Sequence, residues 1–109
     1  MKADFTIGNF VKNSETYKVI DITTLKGLIV SKTVLHPGKE TGGHKHPGQE
    51  EVYQFVHGKG RMQIDQAFFP VTDGDVVLVE DGVFHKVFND SNHEDLIFVC
   101  VFDGKRNHK

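Results

Sequence analysis

Little in this 109-residue sequence marks out a membrane, an extracellular setting or a polyanionic partner. Cys100 is the only cysteine, so no disulfide can form within the chain, and a reducing cytoplasm is the expected location. No apolar run is long enough to span a bilayer, and Met1-Lys2-Ala3-Asp4 does not open a signal peptide. Charge is close to balanced, −2 overall with the two signs interspersed, which leaves no argument for nucleic acid or an acidic membrane surface as partner. Also missing are a sustained apolar helical period, an internal repeat, a low-complexity segment and a glycine-rich phosphate cradle. What remains is one domain over residues 1–109, large enough for a single core and not for two.

The chain that is present reads as short strands separated by turn residues. Tyr17 to Ile22 and Leu28 to Leu35 carry recurring β-branched and apolar residues, with Lys26-Gly27 as a turn between them. His36-Pro37-Gly38 stops the second strand, because proline cannot continue the hydrogen-bonded ladder and glycine permits the turn. Further strands are expected over 51–56, 61–65, 68–71, 76–79 and 84–89, and Gly58-Lys59-Gly60 reads as a hairpin turn. Leu96 to Phe102 is apolar at every position, so both of its faces should be covered. Residues 1–18 are weakly patterned and suit a short edge strand or an arm over a neighbouring subunit. The fold class is all-β, a closed barrel or sandwich.

The chemistry concentrates between Gly38 and Gly60. His44 and His46 stand two apart, so on an extended strand both imidazoles share a face. Pro47-Gly48 breaks that strand, and the chain restarts with Glu51, Tyr53 and Phe55 on one face. Two imidazoles and a carboxylate are donors for a divalent first-row metal, and His85 is the candidate for a fourth. Neutral imidazoles suit Mn, Fe, Co, Ni, Cu and Zn, while one carboxylate lowers the net charge of a divalent site to about +1. Four protein donors on an octahedral ion leave two positions for water or a substrate.

These residues resemble the two signature motifs of the cupin superfamily. The first motif is a glycine, five residues, His-x-His, three or four residues, Glu, six residues and Gly, matched by Gly38, His44, His46, Glu51 and Gly58. The second is a glycine, five residues, Pro-x-Gly, two residues, His, three residues and Asn, matched by Gly74, Gly82, His85 and Asn89. Glu80 stands where the proline is expected, which touches the shape of a turn and not the ligands. The spacing to Gly58 assigns the carboxylate ligand to Glu51 and not to its neighbour Glu50. The resemblance implies a single-domain jelly-roll barrel holding one divalent transition metal (Mn, Fe, Ni, Co or Zn) inside its mouth.

The segments around His36-Pro37-Gly38, His44 and Glu51 are also similar to the core of the cupin-type sugar-phosphate isomerases. Those are longer, and the absence of a phosphate cradle here shifts the expected substrate to a small carbohydrate or hydroxy-carbonyl compound. An isomerase-like or lyase-like enzyme using the ion as Lewis acid heads the expectations; a dioxygenase and a non-catalytic binding or sensor module are the alternatives. The candidate proton carrier is a metal-bound hydroxide or a pocket side chain such as Tyr53, for which core packing is the other reading. His36, His57, His93 and His108 read as solvent-facing, Arg61 and Gln63 as edge or solvent residues, Asn89 as closing a turn, and Cys100 as a small core residue. Val52, Val56, Phe84, Phe88, Phe5, Ile7 and Phe10 exceed what one small barrel buries, so a homodimer is expected.

Overall fold

The computed structural model describes residues 1–103, so His108 lies outside the described residues. A 3₁₀ turn, Phe5–Ile7, precedes nine strands: β1 Asn9–Asn13, β2 Tyr17–Ile22, β3 Leu28–Leu35, β4 Glu51–His57, β5 Lys59–Ile64, β6 Ala67–Thr72, β7 Val76–Val79, β8 His85–Asn89 and β9 Leu96–Asp103. No α-helix occurs among the described residues, and none is long and apolar enough to cross a membrane. The strands form two antiparallel sheets, one in the order β1-β2-β3-β9-β4-β7 and one in the order β6-β5-β8. This is the expected all-β jelly roll, and residues 9–13 are its edge strand.

Alternation explains which way each strand faces. In β3, Ile29, Ser31, Thr33 and Leu35 are buried while the residues between them are partly exposed. In β9 the buried set is Leu96, Phe98, Cys100 and Phe102. Antiparallel register lines these up in cross-strand rows, with Leu35 opposite Leu96, Thr33 opposite Phe98 and Ser31 opposite Cys100. Phe55, Met62, Val87, Leu35, Leu96 and Phe98 are almost wholly buried and form the centre of the core. The outer positions of β9, Ile97, Val99 and Val101, are only half-buried, so the expectation that both faces are covered holds for one face within the monomer.

Two expectations need correction. Gly58-Lys59-Gly60 is not a hairpin: β4 pairs with β7 and β9, whereas β5 pairs with β6 and β8. The chain crosses there from the large sheet to the small one. Gly58 takes φ +100°, and a Cβ on it would lie 2.6 Å from the Asp95 carbonyl oxygen, so only glycine fits the corner. The second correction concerns His44 and His46, which do not lie on a regular strand. Their segment runs beside β8 and pairs with it at isolated bridges, Glu40 with Phe88 and His44 with His85. The reason lies in the glycines and proline around them: proline has no N–H to give a ladder, and glycine loses the most backbone entropy when held extended.

Candidate metal centre

Three donors meet inside the barrel by separate routes. Glu51 opens β4 and is buried with Tyr53 and Phe55, while Val52, Gln54 and Val56 face out. Glu50 is exposed, so the pleat itself separates the two adjacent carboxylates. His85 opens β8 on its buried face with Val87 and Asn89. His44 is tied to that strand by paired backbone bonds, His44 N–H to the His85 carbonyl at 3.0 Å and the reverse at 2.9 Å. His46 follows two residues later, and its ring stacks on that of His44 at 5.3 Å between centroids. The two imidazoles therefore share a face although the strand expected to align them is absent.

The donor atoms of His46, Glu51 and His85 all lie within 4.8 Å of one another. Glu51 Oε1 is 2.9 Å from His85 Nε2 and 3.5 Å from His46 Nε2, with all three side chains almost fully buried. The 2.9 Å approach lacks hydrogen-bond alignment, and His85 Nε2 has no hydrogen-bond partner among the described residues. Its other nitrogen, Nδ1, lies 3.1 Å from the Val83 carbonyl and donates to it, which leaves the Nε2 lone pair pointing at the cluster. A buried lone pair with no donor to meet it costs free energy unless a cation fills the gap. Nitrogen and carboxylate donors so arranged fit a divalent transition metal. His44 is half-buried beside this set, its ring 6.3 Å from that of His85.

A cavity of about 340 Å³ opens on the centre, lined by His44 and Glu51 and by Tyr53, Ser31, Thr33 and Thr41 among others. Tyr53 belongs to both of its expected settings. Its ring stacks on Phe98 at 5.4 Å and meets the edge of His85 at 5.6 Å, so it packs the core and walls the cavity. Cys100 is buried in that wall. The hydroxyls of Ser31 and Thr33 are lining groups that strand patterning alone does not reveal. Their signal was present, as polar residues alternating with Ile29 and Leu35, yet the other face of β3 is Val30, Lys32 and Val34 and hid the parity.

Other residues hold the frame. The backbone carbonyl of Glu80, which stands in place of the motif proline, accepts from Val83 N–H at 3.1 Å, and Gly82 takes φ +74°, so the turn closes through main-chain groups that do not require proline. Asp81 in that turn accepts from Gly48 N–H at 2.7 Å, fastening the loop between His46 and Glu51. Asn89 is buried and does close a turn, donating to the carbonyls of Leu35, His36 and Glu94. Arg61 faces outward, paired through two nitrogens with Asp90, which holds the guanidinium above its ordinary pKa by hydrogen bonding. Gln63 bonds to the Asp65 carbonyl near the surface. His57 and His93 are exposed, as expected, but His36 is half-buried with Nδ1 3.2 Å from Asp95.

Comparison with known proteins gives a consistent family. The profile described as "Cupin domain" matches residues 31–102, more than half of the chain. An oxalate-binding protein from Thermotoga maritima is 33% identical over 76 residues, covering 70% of this chain and 62% of its own length. The chain thus spans less than two thirds of that relative. A crystal structure of a predicted oxalate decarboxylase from Thermotoga maritima superposes with TM-score 0.81 at 22% identity, covering 96% of this chain and 100% of the other. An RmlC-like cupin from Shewanella frigidimarina gives TM-score 0.82 at 19% identity, covering 96% and 91%. At these identities the structural likeness concerns the fold.

Proposed function

The chain belongs to the cupin domain family, and on that footing we propose that it binds one divalent transition metal through His44, His46, Glu51 and His85 and presents it to a small carboxylate or hydroxy-carbonyl ligand. The observation that carries the proposal is the convergence of three buried donor atoms, one of them the unsatisfied Nε2 of His85. His44 completes the set from the rim, where its partial exposure leaves the ligand's approach open. When bound, such an ion acts as a Lewis acid toward a carbonyl, carboxylate or hydroxyl oxygen.

The chain's own residues supply the rest. Val83 fixes the tautomer of His85, and Phe98, Phe102 and Tyr53 exclude water from one wall. The hydroxyls of Ser31, Thr33 and Thr41 line the cavity and would offer hydrogen bonds to ligand oxygens, and Tyr53, also in the lining, is the proposed proton carrier. The relative's name, an oxalate-binding protein, supports a carboxylate ligand and gives simple binding equal standing with isomerase-like or lyase-like turnover. Metal analysis of the purified protein, followed by calorimetric titration with oxalate and with neutral hydroxy-carbonyl compounds, tests the reading. Wild-type metal content in both His46→Ala and His85→Ala would reject it.

A homodimer in the cytoplasm is part of the proposal. The outer face of the large sheet carries an apolar row across five strands, Ile22, Val30, Val101, Val52 and Leu78, each in register with the next. Val52 is 39% exposed and Leu78 70%, a continuous patch of the kind that marks an interface. Ile7 and Phe10 are exposed as well, whereas Phe84 and Phe88 are half-buried. Phe88 is covered by Arg61 and Lys86, so the small sheet offers less than expected.

A further inference from the structure

Lys12 lies in the edge strand β1, where a lysine commonly serves only to deter strand pairing. Its setting here is different. Phe10 pairs with Ile20 and Lys12 with Val19, so Val11 is an extra residue forming a β-bulge. Paired residues share a face, and Val19 is buried against the interior. With regular pairing Val11 would stand opposite Val19 and Lys12 would point outward with Lys18. The bulge reverses that parity and turns Lys12 to the mouth of the cavity that leads to Glu51 and His44.

Among the described residues lining that cavity, Lys12 is the only lysine or arginine. Its ammonium lies 5.6 Å from the ring centroid of Tyr17, also a lining residue, a cation–π contact that holds the charge over the opening. Lys12 is an exposed residue, accessible to an incoming anion. With neutral imidazoles and one carboxylate, a divalent centre would carry about one net positive charge, and Lys12 adds another on the lining of the same cavity. That charge pair matches a dianion.

We propose that Lys12 is the anion-recognising residue of this protein and that its ligand is a small dicarboxylate, held with one carboxylate at the metal centre and the other at the ammonium. The inference rests on the metal-centre reading given above. Its test is calorimetric titration of the full chain, loaded with one equivalent of divalent metal, with oxalate, malonate and succinate, and with neutral malonamide as control. The variants are Lys12→Gln and Lys12→Arg, whose exposed position leaves folding and metal content unchanged.

In Lys12→Gln the best-binding dicarboxylate should weaken about two- to fivefold, the range for losing a solvent-exposed ion pair. Its affinity should also become less dependent on salt, while Lys12→Arg recovers most of the loss. Unchanged dicarboxylate affinity and salt dependence in Lys12→Gln would overturn the role of Lys12 and leave the metal centre standing. An equal loss for malonamide would overturn it too, by showing a structural effect. A metal-loaded wild type that binds none of the acids would overturn the dicarboxylate proposal and leave the metal centre standing, whereas a wild type that takes up no metal would overturn the reading beneath it.

Discussion

Truncating Asn89 to alanine should cost this fold a large part of its stability while sparing its metal centre. The side chain is 3% exposed and its amide nitrogen donates to three carbonyls, those of Leu35 at 3.0 Å, His36 at 3.2 Å and Glu94 at 2.8 Å. Its oxygen accepts from Ser91 N–H at 3.0 Å. Each such bond contributes about 1 kcal/mol net, and a buried carbonyl left without a donor costs about 1–3 kcal/mol. The Leu35 contact is the fully buried one, so the total comes to about 3–5 kcal/mol. At about 4–8 °C per kcal/mol for a domain near this size, thermal unfolding should fall by at least about 12 °C. Asn89→Asp should be no better, because it keeps the acceptor, removes the donors and sets a carboxylate against carbonyl oxygens. Calorimetric melting of both variants, with metal content measured well below the transition, is the assay. An Asn89→Ala protein that melts within a few degrees of wild type would refute the claim that this amide ties β8 to the ends of β3 and β9.

Adding a divalent transition metal to chelator-stripped protein at a hundred times its Kd should stabilise the fold by about 2.7 kcal/mol, seen as a rise of roughly 10–20 °C in melting temperature. The rise should disappear in Glu51→Ala and His85→Ala; its survival in either removes that residue from the donor set. Gly58→Ala should lose at least about 2 kcal/mol in urea titration, because a side chain there meets both unfavourable φ and the backbone at Asp95 and Leu96. A near-neutral result would show that the corner between the sheets can relax. Leu78→Lys should convert a homodimer to monomers in light scattering, since it places a charge at the end of the apolar row, and an unchanged dimer would locate the interface elsewhere.

Much of this protein is determined by features that act over a few residues. Strand alternation is local, so Tyr17–Ile22, Leu28–Leu35 and Val76–Val79 can be read directly, and the spacing of His44, His46, Glu51 and His85 marks them as candidate donors, three of which the fold gathers into one buried cluster. Side-chain period along a strand also separates Glu51 from Glu50 without any knowledge of neighbours. Pairing is different, because it joins residues far apart in the chain through backbone groups that every residue carries. Nothing local says that β9 lies between β3 and β4, or that Gly58 leads to the other sheet instead of back along the first. The close stacking of His44 on His46 likewise depends on β8, which holds their loop extended where no strand forms. Lys12 is the sharpest case. A single extra residue in β1 decides whether its charge faces solvent or the cavity, and that residue counts as extra only against the register of β2.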